Sequence, residues 1–219
     1  MIKKIIYILI MIIVCSNFIF DQALAQPQRA QIQYDDDIYI PKNTNAQKVI
    51  KKANVAMLLW EKSLTPEDKS FYLEQAMRNY YLATKINGTI IDANTGLARV
   101  YDEMNQDRLA KEYFFKATNL STYDPKANLY FANFYFKRND FLNALFYYKI
   151  AYEHGFSKNY ELNCQLGIIY EKIADIENAK VFYQRALSLK PNDTNLAEKI
   201  RLLDDLNYGE SQYYLFNRK

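Results

Sequence analysis

Apolar and polar positions change rhythm several times along this chain of 219 residues. Ile5 to Val14 is an unbroken apolar run, and Pro27 to Asn45 is polar with no sustained period. From Lys51 onward apolar residues recur at helical spacing between short polar turns, which predicts a series of amphipathic helices. Small and aromatic residues alternate within that series. Leu166-Gly167, Tyr170, Ala179, Tyr183, Ala186 and Pro191 are preceded by Phe131-Ala132, Tyr135, Ala144, Tyr148 and Ala151. Before those come Leu97-Ala98, Tyr101, Ala110, Phe114 and Ala117. Small residues at these points predict helix pairs whose surfaces approach closely, with the aromatics filling the space between.

The units span residues 91–124, 125–159 and 160–193, and the middle one holds one extra residue around Gly155. A degenerate first unit, 51–90, keeps Ala76, Tyr80 and Ala83 but has Leu58 and Glu61 where a small residue and Tyr belong. It also carries roughly six extra residues around Thr65-Pro66-Glu67-Asp68, a sequence suited to a turn followed by a helix start. Asn94, Asn128 and Asn163 recur in the first turn of each first helix, with Asn54 placed alike in the first unit. Such residues are expected to bond the preceding turn, and Asp140 and Asp175 to cap the second helices. Residues 194–207, with Leu196, Ile200, Leu203 and Leu206 on one stripe, read as a capping helix.

The order L-G-x2-Y, A-x3-Y-x2-A and a later proline in 160–193 resembles the tetratricopeptide repeat, a helix-turn-helix unit of 34 residues. Asn replaces the Trp usual at its fourth position. The resemblance implies an all-α fold, a right-handed α-solenoid of about four repeats with a C-terminal cap. It also implies a non-enzymatic protein that holds a peptide or protein in the concave groove lined by first helices. In the family, positions two, five, nine, twelve and thirteen of each first helix face that groove. Here these are Asp92, Thr95, Arg99, Asp102 and Glu103; Lys126, Leu129, Asn133, Phe136 and Lys137; and Glu161, Cys164, Ile168, Glu171 and Lys172. Some family members grip a terminal carboxylate with Lys at five and Asn at nine. Leu129 with Asn133, and Thr95 with Arg99, leave that clamp incomplete. Leu129, Phe136 and Ile168 instead suggest an apolar anchor, with Arg99 and Lys137 orienting the ligand. The alternative is that these side chains pack against neighbouring helices or the chain's own tail.

Composition narrows the class further. Five Gly and five Pro argue against a turn-rich β fold, and half the residues are hydrophobic. A formal charge of +3 is too small and too mixed for a nucleic-acid footprint. His154 is the single histidine, and Cys15 and Cys164 are the only cysteines, so no paired metal spacing exists. No Gly-rich phosphate loop or G-x-S-x-G is present. These absences predict no catalysis, no cofactor, no metal and no small-molecule substrate.

Lys3 and Lys4, the apolar run and Ala23-Leu24-Ala25 together predict a signal peptide over residues 1–25, removed after Ala25. Export through the Sec pathway would place the chain in a periplasm or outside the cell. An uncleaved N-terminal anchor and lipidation at Cys15 are the alternatives. Residues 26–45, with Asp35-Asp36-Asp37, read as a flexible polar arm before a repeat domain over 46–207. Residues 208–219 form an aromatic tail that either folds back on the last helix or contacts another chain. Asn87-Gly88-Thr89, Asn119-Leu120-Ser121 and Asn192-Asp193-Thr194 match a glycosylation sequon, which matters only in a eukaryotic host. The leading expectation is an exported adaptor for a protein or peptide, in envelope or pilus assembly or a membrane-associated complex. The second is a structural protein whose arm or tail fills the groove of another copy. The oligomeric state stays open.

Overall fold

The computed structural model describes the backbone of residues 40–216 and the side chains of residues 40–205. The segment expected to be a signal peptide and nearly all of the expected polar arm lie outside the described residues. The described backbone is helical throughout, joined by short turns: α1 (Ala46–Lys62), α2 (Pro66–Ile86), α3 (Ile91–Glu103), α4 (Asp107–Leu120), α5 (Pro125–Lys137), α6 (Phe141–Ala151), α7 (Tyr160–Lys172), α8 (Ile176–Leu189) and α9 (Thr194–Phe216). Each odd-numbered helix from α1 to α7 packs along its even-numbered successor. Successive pairs then stack through α2 on α3, α5 on both α3 and α4, and α6 on α7.

Local sequence sets where these helices begin. Thr65, Asp124, Asp140, Asn159 and Asp175 each accept a bond from the backbone N–H three residues on, satisfying a donor that the helix itself cannot. Pro66 and Pro125 occupy the first helical position, where a missing N–H costs nothing. The recurrent asparagines behave as the sequence predicts. Asn94 Nδ2 donates to the carbonyls of Gly88 and Ile90, Asn128 Nδ2 to Thr122 and Asp124, and Asn163 Nδ2 to Ser157 and Asn159. Each one staples its helix start to the turn arriving from the previous pair.

The core is the alternating set of small and aromatic residues. Leu97, Ala98, Ala110, Phe131, Ala132, Ala144, Tyr148, Leu166, Ala179 and Ala186 are all fully buried. Gly167 lies against an aromatic ring rather than a facing backbone. A Cβ built on it would sit 2.5 Å from Cδ1 and Cε1 of Tyr183. Gly96, two pairs earlier, lies against a ring of the preceding pair, where a Cβ would collide with Tyr80 of α2.

Two boundaries differ from the sequence reading, at the first pair and at the last helix. The first pair begins at Ala46, capped by Asn45, so Ala53 is the eighth residue of α1 just as Ala98, Ala132 and Gly167 are of theirs. Leu58 is therefore exposed on the opposite side. Asn54 is no counterpart of Asn94, and its Oδ1 accepts from the Tyr80 hydroxyl at 2.5 Å. The extra residues of this unit lengthen its helices to 17 and 21 residues, with the expected turn and helix start at Thr65 and Pro66. The extra residue of the third unit is absorbed in a π turn over Tyr152–Phe156, with Gly155 at φ 154°, a conformation that side chains resist. Finally, α9 runs past residue 207 and through Gly209 to Phe216, so the aromatic tail continues the capping helix instead of turning back. Leu196, Ile200 and Leu203 bury against Ala179, Tyr183 and Ala186 of α8.

Candidate protein-binding face

The first helices α3, α5 and α7 carry the candidate residues, and charged positions of α3 and α5 pair across the stack. Lys126 Nζ donates to Asp92 Oδ1 at 2.7 Å. Lys137 Nζ donates to Asp102 Oδ2 at 2.9 Å and Glu103 Oε1 at 2.5 Å. Arg138 reaches Asp102 at 2.8 Å and Asp107 at 2.5 Å. Asp102, Glu103, Asp107, Lys137 and Arg138 line a polar cleft of about 390 Å³ with Asn105. The Arg138 bonds hold the Asp107 carboxyl below the usual carboxylate range. Burial works against the Lys137 charge, but Glu103 and Asp102 outweigh it and raise its pKa.

Thr95 and Asp102 do not present an open surface, being 2 % and 8 % exposed. α3 packs directly against both α1 and α5, so a residue aimed along the row of first helices is covered by the next one. Arg99 stands between neighbours too, donating to Glu61 at 3.3 Å with its guanidinium 4.0 Å from the centroid of Tyr130. Tyr130 lies one position beyond the family's groove register, and spacing alone gave no reason to choose it.

α7 is the most altered part of the predicted face. Cys164 and Ile168, both half-buried, pack against the cluster that Ala179, Tyr183 and Ala186 of α8 form with Leu196, Ile200 and Leu203 of α9. Burial, the largest influence, pushes the Cys164 thiol up, away from the reactive thiolate. Glu171 accepts from the Tyr183 hydroxyl at 2.7 Å and pairs with Lys199 of α9 at 2.9 Å. Burial opposes its charge, yet Lys199 and Tyr183 prevail and its pKa is lowered. Lys180 of α8 adds a second tie to α9, 2.6 Å from Asp204. Lys172 is exposed at the C-terminal end of α7.

α5 retains the accessible apolar positions. Leu129, Tyr130 and Phe136 are half-buried, as is Asn133, and Lys126 lies exposed at the start of the helix. Phe136 is held edge-on by Phe141 and Tyr148, with centroids 6.0 and 6.2 Å away. Asn133 Oδ1 accepts from the buried Tyr148 hydroxyl at 2.6 Å, so its amide offers chiefly N–H donors to any ligand. Tyr148 is fully buried, and that burial raises its phenol pKa strongly. A rigid apolar pair around an oriented amide can seat apolar side chains and donate to a backbone carbonyl.

The family model described as "Tetratricopeptide repeat" matches residues 160–193. No curated protein matches the chain. Among solved structures, PilF of Pseudomonas aeruginosa superposes with a TM-score of 0.61 at 18% identity, over 78% of this chain and 73% of that one. MamA of Desulfovibrio magneticus RS-1 gives 0.59 at 12% identity, over 77% and 89%. YrrB, described as a TPR protein with an unusual peptide-binding site, gives 0.56 at 18% identity, over 80% and 86%. At such identities the likeness concerns the fold. Residues 160–193 match the tetratricopeptide repeat, and the helix pairs stacked before them share the fold of these tetratricopeptide structures.

Proposed function

We propose that the protein is an exported adaptor that holds an extended or helical segment of another protein against α5. The observation that carries this reading is the half-buried set Leu129, Asn133 and Phe136, whose ring and amide are fixed from behind by Tyr148. Around it the charges are largely satisfied within the chain, as in Asp92 with Lys126 and Asp102 with Lys137. Apolar fit and hydrogen bonds to the ligand backbone then contribute more to affinity than net charge. The fold agrees, since tetratricopeptide arrays are typically scaffolds rather than enzymes. YrrB, with its peptide-binding site, supports a peptide ligand for a fold of this kind.

Crosslinking in the native compartment, followed by calorimetry with the captured partner, tests the reading. Leu129→Ser should weaken binding of that partner, whereas Lys172→Ala, on the outlying α7 position, should leave it unchanged. Intact mass of the exported chain tests the localisation: a start at Gln26 supports removal of the signal peptide, and a start at Met1 contradicts it. An envelope or pilus role rests on export and fold together, and identification of the partner decides it.

A further inference from the structure

The outer side of α1 shows two features that the repeat fold does not require. Val55, Leu58 and Leu59 are 55 %, 48 % and 39 % exposed, although α1 already buries Val49, Ile50, Ala53, Ala56 and Met57 on its packed side. Lys48, Lys52, Val55, Leu59 and Lys62 follow at steps of four and three residues, which aligns them as one stripe, and Lys51 and Leu58 border it. All seven are exposed. The apolar centre therefore has cations at both ends. Glu61 is the single carboxylate of α1, and it is engaged by Arg99 at 3.3 Å. The nearest other acids in sequence, Glu67 and Asp68, belong to the first turn of α2, where Asp68 accepts from the Thr65 hydroxyl.

We propose that this stripe docks on an anionic lipid surface. Val55, Leu58 and Leu59 would enter the boundary between headgroups and acyl chains, while Lys48, Lys51, Lys52 and Lys62 reach headgroup phosphates. Charge complementarity selects this occupant: each lysine near an anionic leaflet adds to binding, and its flexible stem lets the ammonium reach the phosphates beside a buried apolar row. A single protruding helix side, with no concavity of its own, suits a soft interface better than a preformed protein surface. The proposal is independent of ligand binding at α5.

Trp60, the chain's one tryptophan, is half-buried on the same helix and serves as a native reporter. The full chain is mixed with phosphatidylcholine vesicles that carry brominated acyl chains, with and without phosphatidylglycerol. The expected result is a blue shift and quenching of Trp60 only when phosphatidylglycerol is present, lost at high salt. The effect should also be lost in Lys48→Gln/Lys52→Gln and in Leu58→Ser/Leu59→Ser, both of which keep the wild-type melting curve because they alter exposed positions. Equal quenching in neutral vesicles, or quenching that survives both substitutions and high salt, overturns the proposal. So does an unquenched Trp60 in a chain that sediments with the vesicles, since another segment then holds the membrane. Failure to sediment with either vesicle overturns it as well. A blue shift that grows with protein concentration without lipid overturns it too, and assigns the face to a second copy of the chain.

Discussion

Lys126 Nζ lies 2.7 Å from Asp92 Oδ1, joining the second positions of two successive first helices. The pair is about half exposed on both sides, so screening by water limits its worth. A double-mutant cycle with Asp92→Asn and Lys126→Gln should give a coupling of about 0.2–1 kcal/mol that shrinks with salt. A salt-independent coupling above that range would show that the pair is shielded from water.

Gly167 meets the Tyr183 ring where any side chain would collide. Gly167→Leu should destabilise the fold by roughly 1–3 kcal/mol through overpacking, as read by chemical denaturation. Gly96→Leu, set against Tyr80, should fall in the same range. Unchanged midpoints would mean that these rings move aside freely.

Ala174 sits at φ 62° in the turn between α7 and α8, the conformation that Asn105 and Asn139 adopt in the two preceding pairs. Alanine tolerates it poorly, whereas asparagine visits it readily. Ala174→Asn should therefore raise stability by about 0.5–1 kcal/mol. A loss of stability in the thermal melt would contradict the assignment of strain to this residue.

Glu171 ties α7 to the capping helix through Lys199 and the Tyr183 hydroxyl. Its folded pKa lies below the ordinary glutamate value, so the folded state favours the ionised form. The resulting stability is present above the unfolded pKa of about 4.3 and is lost as pH falls through the lowered folded value. Glu171→Gln should flatten that part of the acid-unfolding curve while leaving the neutral-to-alkaline limb unchanged. An unaltered acid limb would show that the carboxylate contributes nothing there.

The sequence disclosed the repeat frame because small residues facing aromatics, such as Gly167 with Tyr183, leave a strict pattern. It disclosed the helix starts because Asp140, Asn159 and Asp175 act within three residues of themselves. The start of α1 is harder to place, since Ala53 is a small residue among many and the Tyr partner of the pattern is missing from that helix. Burial of Ile168 and Cys164 could not be read from their own repeat. The cluster they pack against takes half its members from α9, which lacks the signature and lies outside their repeat. Thr95 is similar, hidden by the row of first helices rather than by its pair. The proposed binding face is therefore centred on α5, and Ile168→Asp is expected to loosen the packing at the cap.

Phe136→Asp tests the account most directly. The ring is half-buried at the edge of the α5 face, and the change removes its contacts with an incoming apolar side chain. With the partner in hand, titration calorimetry should show a loss of about 2 kcal/mol or more, roughly thirtyfold in affinity, while helical circular dichroism stays intact. A folded Phe136→Asp chain that binds the same partner with unchanged affinity would contradict the placement of the binding face on α5.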